Sequence, residues 1–283
     1  MSTTASLAAT LEALAASSDG TVAYSIVPLD GGEPIRRNAD QQQPTASCMK
    51  VYLIAALYAA AARGELSLDE RRPLRREDRT LGSGVLKLLA PGLEPTLRDH
   101  ARLMIAISDN ISTNVIIDRL GGAGTVDEAV HALPIELRAT AIRDRIRFDT
   151  IEPFFLSCPD DFTSLLAAIH GRRCTGSPEL DDEIYWTLRR QQHRSMIPRH
   201  LPCSDYAEEF GVDQPVRCGN KTGSMPGFRG DVGIVETTRC RWVLAFQVQG
   251  PPDFNTGDTH PYNLLIAEMS RLVFDVWGLP DRA

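Results

Sequence analysis

The chain has 283 residues, 43% of them hydrophobic and 24% charged, with a formal net charge of −7. That balance is that of a soluble globular protein, long enough to bury a substantial core without covalent staples. The mild acidity argues against nucleic acid or an anionic membrane as partner, and no stretch reaches the roughly 18 apolar residues that a spanning helix needs.

Leu7, Leu11 and Leu14 fall at i, i+4 and i+7, which predicts an amphipathic N-terminal helix. No Lys or Arg precedes Arg36, and Glu12 interrupts the apolar stretch, so the segment does not read as a secretory leader. The expected location is cytoplasmic, or periplasmic or secreted if a leader was removed. Residues 21–29 read as a strand, Asp30-Gly31-Gly32 as a turn, and residues 34–39 as a second strand. From Ser47 an Ala-rich helix runs to Gly64 with no polar face, which predicts burial. Residues 66–200 read as mainly helical, broken by Gly82, Pro91, Gly121, Gly122, Pro134 and Pro153. Two helical stretches lie in 97–120 with Ser108-Asp109-Asn110 between them, and a further helix spans 160–171. Residues 230–237 and 241–249 read as a β-hairpin, and 262–277 as a closing amphipathic helix.

The element order predicts an α+β fold in one domain over 1–283: an antiparallel sheet with flanking helices from 1–46 and 205–283, and an all-α part from 47–204. Six cysteines occur without a C-x-x-C pair or a zinc spacing, so reduced thiols are expected. The six histidines show no metal spacing either. No metal or cofactor is expected.

Three short motifs carry chemistry. Ser47-Cys48-Met49-Lys50 gives S-x-x-K at the start of the buried helix. Ser108-Asp109-Asn110 gives S-D-N, and Lys221-Thr222-Gly223 gives K-T-G ahead of the hairpin. A serine hydroxyl needs a base to act as nucleophile. Positions i and i+3 share a helix face, which sets Lys50 beside Ser47. A lysine among apolar residues and other cations gives up its proton more readily than in water. The helix N-terminus at Ser47 suits an oxyanion, and the Ser224 N–H is a candidate second donor. Ser108 fits proton relay to a leaving group, or alternatively a helix cap. Asn110 fits a hydrogen bond to Lys50 or to a substrate amide. Lys221 and Arg229 bring two positive charges that suit a substrate carboxylate, and Gly223 permits close approach to a ligand.

In this order the motifs resemble those of the penicillin-recognising serine enzymes, and specifically the class A β-lactamase-like group. The resemblance extends from about Leu7 to Trp277 and includes the KTGSMPGFRGDVGIV stretch. It implies a β-lactamase/transpeptidase-like fold in two parts with the active site in the cleft between them. It also implies a structural role near the site for Asn114, in the pattern S-D-N-x-x-x-N, and a deacylating role for a Glu in a loop pattern E-P-x-L-N. Glu152-Pro153 matches the first two positions of that loop, whereas Phe155 and Leu156 stand where Leu and Asn are usual. Pro159 also follows several residues sooner than in the family loop. The expected function is hydrolysis of a cyclic amide through an acyl-enzyme on Ser47, with a small, carboxylate-bearing substrate as partner. An esterase, a D-amino-acid peptidase, an acyltransferase and a penicillin-binding sensor that stays acylated are the alternatives.

Overall fold

The computed structural model describes residues 4–150, 152–204, 207 and 209–279. Helix α1 (Thr4–Ser17) buries Leu7, Leu11 and Ala15 along one face. It leads into β1 (Thr21–Pro28), which turns back through Gly31 and Gly32, both at positive φ, into β2 (Ile35–Arg37). After the two-residue β3 (Gln43–Pro44), a 3-10 turn (Ala46–Met49) opens α2 (Lys50–Ala62). Residues 50–60 of α2 are all buried, as the absence of a polar face predicts. The helix ends where Gly64 takes φ +73°, the left-handed conformation that glycine adopts at little cost.

Helices α3 (Leu97–Ala106), α4 (Asn110–Arg119) and α5 (Ala123–His131) surround α2. Two short strands, β4 (Ala141–Ile142) and β5 (Phe155–Ser157), join β3 in a small sheet of order β3-β5-β4. This sheet was not anticipated in a region read as helical, since three residues are too few to show an alternation. Helices α6 (Pro159–His170) and α7 (Pro178–Leu188) complete the helical part.

The last third supplies β6 (Val216–Met225), β7 (Phe228–Thr237), β8 (Arg241–Gln249) and α8 (Pro261–Val273). Sheet order is β2-β1-β8-β7-β6, every pair antiparallel. β6 is a correction to the sequence analysis, which placed Lys221-Thr222-Gly223 ahead of a hairpin rather than within a strand. Gly219, Asn220, Lys221 and Gly223 hide the apolar alternation, but pairing with β7 from Val216↔Thr237 to Met225↔Phe228 makes the strand regular. A one-residue slip would turn Lys221 to the opposite face of the sheet.

Helices α1 and α8 cover one face of the sheet and α6 the other. The core inside the helices is continuous with the α6 face, since Val232, Ile234, Val243 and Ala245 pack with the side chains of α2, α6 and α7. The edge strand β6 lies against the 3-10 turn that carries Ser47. Sheet edge and buried helix thus meet where the first and third motifs fall.

Candidate active site

Ser47 is half-buried in the 3-10 turn, and Ala46 before it holds φ +45°. A positive φ at a residue with a Cβ is strained and persists only where the surroundings enforce it. Those surroundings are tight. A Cβ at Gly223 would lie 2.5 Å from Thr45 O and 2.9 Å from Cys48 N, so only glycine lets β6 approach the turn this closely. On the other side Thr45 N donates to Phe155 O at 3.2 Å, tying the turn to the small sheet.

Lys50 is fully buried at the first turn of α2. Its Nζ donates to Ser108 O (2.7 Å), Ser108 Oγ (3.0 Å) and Asn110 Oδ1 (2.9 Å). Among the described residues no hydrogen bond joins Nζ to Ser47 Oγ; such bonds often tighten only when substrate arrives. Ser108 at φ +59° turns both of its oxygens toward Lys50. Asp109 caps α4 by accepting from Ser112 N at 2.9 Å, and its other oxygen accepts from Val85 N and Leu86 N at 2.8 and 3.0 Å. The S-D-N segment is therefore a helix cap and a partner of Lys50 at once. Asn110 Nδ2 donates to Leu81 O at 2.9 Å, which fixes the Oδ1 that Lys50 uses.

Lys221, also fully buried, donates to Thr222 O at 2.7 Å, and its own carbonyl lies 3.5 Å from the Cys48 thiol. Burial and the Lys221 charge hold Lys50 well below the usual lysine range, with Asp109 acting in the opposite sense. Burial lowers Lys221 to about 8, opposed by Cys48 and Asp231. Two buried ammonium groups with no carboxylate bonded to either favour loss of one proton. Thr222 is buried and Ser224 is exposed on the same strand.

The remaining predicted residues fall outside this cluster or take other roles. Arg229 is buried, and its guanidinium donates to the carbonyls of Met225, Phe228 and Asn255. Three of its five N–H donors thereby brace the β6–β7 turn and the loop at Asn255. Asn114 holds both backbone polar groups of one residue beyond the cluster, donating to Ile146 O at 2.9 Å and accepting from Ile146 N at 2.8 Å. Glu152 is exposed, with its backbone N–H on Thr150 Oγ1 at 3.1 Å. The charges that act on Lys50 are those of Lys221 and Asp109.

Asp231 was not singled out from sequence. It is fully buried on β7 opposite Thr222 and accepts from Asn220 Nδ2 at 2.9 and 3.0 Å and from Ile197 N at 2.9 Å. Burial pushes its carboxyl up to about 7 against those bonds and the Lys221 charge. The available signal was a lone acidic residue inside the otherwise apolar run GDVGIV. Among the described residues no group of His, Cys, Asp and Glu is arranged to hold a metal, and no helix is long and apolar enough to cross a membrane.

The chain is similar to known proteins over most of its length. A model of the "Beta-lactamase enzyme family" matches residues 6–277. The β-lactamase L2 of Stenotrophomonas maltophilia is 30% identical over 235 residues, covering 81% of this chain and 74% of the relative. Among solved structures, a β-lactamase from Sphaerobacter thermophilus superposes with a TM-score of 0.81 at 32% identity, covering 95% of each chain. A mutant of PBP-A, solved as an acyl-enzyme complex with penicillin G, gives a TM-score of 0.81 at 26% identity over 96% of each chain.

Proposed function

The chain belongs to the beta-lactamase enzyme family, and from that premise we propose that it opens the amide of a carboxylate-bearing β-lactam through an acyl-enzyme on Ser47. The observation that carries this reading is the burial of Lys50 with its Nζ within hydrogen-bond distance of Ser108 O, Ser108 Oγ and Asn110 Oδ1. Neutral Lys50 keeps two of these contacts as N–H donors and turns its lone pair to Ser47, taking the Oγ proton as Oγ bonds to the lactam carbonyl carbon. The carbonyl oxygen becomes an oxyanion, held by the Ser47 and Ser224 N–H groups that the close approach of Gly223 supports. As the oxyanion collapses, the C–N bond breaks. Ser108 Oγ gives its proton to the leaving nitrogen and recovers one from the Lys50 ammonium, 3.0 Å away. Lys50 ends neutral, and no proton is left over.

The second half needs a base for water. Glu152 is exposed, so the base assigned to the water is the buried Lys50, neutral again after the relay. That position supports deacylation as the slow step. The test is intact-mass measurement in quenched time points after adding a chromogenic cephalosporin. The expected result is a burst of one adduct per chain, absent in Ser47→Ala, followed by slower turnover. Neither adduct nor turnover from the wild type would end the reading.

A further inference from the structure

Residues 191–193, just after α7, form a strap between the second and third motifs. Gln191 is buried, and its Nε2 donates to Ile105 O at 2.9 Å and to Asn220 O at 3.4 Å. Gln192 N donates to Ala106 O at 2.9 Å, and His193 Nε2 lies 3.4 Å from Ile107 O. Gln191 Oε1 accepts from His193 N at 2.9 Å. Ile107 immediately precedes Ser108, and Asn220 immediately precedes Lys221. The strap therefore fixes an exposed imidazole where the Ser108 wall meets the Lys221 strand. Arg229, the other cation the sequence offered for a carboxylate, is buried and bonded to three backbone carbonyls.

We propose that His193 is a specificity-determining residue whose imidazolium binds the substrate carboxylate alongside Lys221, so that anionic substrates are preferred more strongly as pH falls. The proposal rests on the acyl-enzyme reading above. The charged groups facing His193 are Lys221 on β6, Lys50 on α2 and Asp258 on the loop before α8. Burial first, then the Lys221 charge and, least, Lys50 hold the empty-site imidazole below its usual range, while the bond to Ile107 O and the Asp258 charge act oppositely. In that state the Nε2 proton points to Ile107 O and Nδ1 carries a lone pair. A carboxylate set against Lys221 offsets the positive field and stabilises the imidazolium. Binding then takes up one proton from solvent, and Nδ1–H donates to the carboxylate in a charge-assisted bond. Preference for the anion rises as pH falls through the value of the bound imidazolium and levels off below that of the empty site.

The test compares acylation of Ser47 by a penicillin and by its methyl ester, each followed by intact mass from pH 7.0 to 5.5. Protonation of Lys50 slows both substrates, and any effect of its charge on the acid-to-ester rate ratio is common to every variant. Lys221, near 8, stays charged throughout. Asp231 titrates near the top of this range in every variant, so the comparison between variants isolates His193. In wild type the ratio should rise about tenfold, the size of one charge-assisted contact. In His193→Gln it should be flat with pH, and in His193→Lys high and flat. A flat wild-type ratio, or the wild-type slope retained in His193→Gln, overturns the assignment while adduct formation upholds the acyl-enzyme reading. No adduct from either substrate overturns both.

Discussion

Around Lys50 the polar groups are buried and bonded to one another, whereas along residues 143–153 they face solvent and pair across the surface. Lys50, Ser108, Asp109, Asn110, Lys221 and Asp231 are each less than about a tenth exposed, as expected of buried polar groups with partners, and each is held by named hydrogen bonds. In the other region Arg147 pairs with Asp144 and Asp149, and Arg145 with Asp118, through side chains 39–74% exposed. Such pairs contribute about 0–1 kcal/mol each. The buried contact of that region is the grip of Asn114 on Ile146. Groups that attack and protonate are thus fixed before substrate arrives, while Glu152, the carboxylate expected to activate water, faces solvent.

Removal of a buried member should show the largest effect. Lys50→Ala takes away the base and leaves Ser108 O and Asn110 Oδ1 without their donor, so acylation should fall by about 10³-fold or more. Rates of adduct formation by intact mass check this, and a loss under tenfold would show that another group deprotonates Ser47. Next in size is Gly223→Ala. Its methyl would press on Thr45 O and Cys48 N, both backbone atoms that cannot rotate away. Separation of β6 from the turn by about 1 Å should cost about 10² in acylation, with the melting temperature less affected than the rate.

Much of this was legible in the sequence. The motif serines and lysines are few, fixed in spacing, and set beside an Ala-rich run whose burial followed from composition. What escaped were properties of partners distant in sequence. Asp231 meets Asn220 and Ile197 only because β6 and β7 pair in one register. By charge Arg229 reads as a substrate ligand, and only the fold shows that the β6–β7 turn and the loop at Asn255 take three of its five N–H donors. Gln191 shows no periodic signal, because its function as a strap depends on two backbone carbonyls. Glu152 matched a local pattern, but the short stretch before β5 leaves it at the surface. Motif spacing transmits which residues react; which side chains are free to do so is set by tertiary hydrogen bonding.

The buried cluster should also register pH in a way the exposed loop does not. Asp231 has a folded value near 7 against 3.8 for a free side chain. The folded state keeps a proton that the unfolded chain has lost, so this contribution is fully present below about pH 4 and lost as pH rises through 7. Lys221, lowered from 10.5 to about 8, acts oppositely, its contribution being present at high pH and lost as pH falls through 8. Asp231→Asn removes the first dependence. Its stability deficit against wild type should therefore shrink between pH 5 and 7, by at most about 1.4 kcal/mol per unit. Urea melts at several pH values measure the difference, and a constant deficit would mean that Asp231 is ionised throughout.

The smallest expected effect is the sharpest check on the comparison. With its carboxylate exposed and making no side-chain hydrogen bond among the described residues, Glu152→Gln removes a surface charge and little else. Stability should change by less than about 0.5 kcal/mol, and both the acylation burst and the slower turnover should stay within about twofold of wild type, as for a residue without a transition-state role. The two phases separate the possible failures. A loss confined to turnover, tenfold or greater, would mean that residues 143–153 close over the acylated site and bring Glu152 to a water, so that the exposed loop is organised by substrate. A loss in the burst would tie Glu152 to Lys50, against the arrangement in which the contacts of its Nζ are with Ser108 and Asn110.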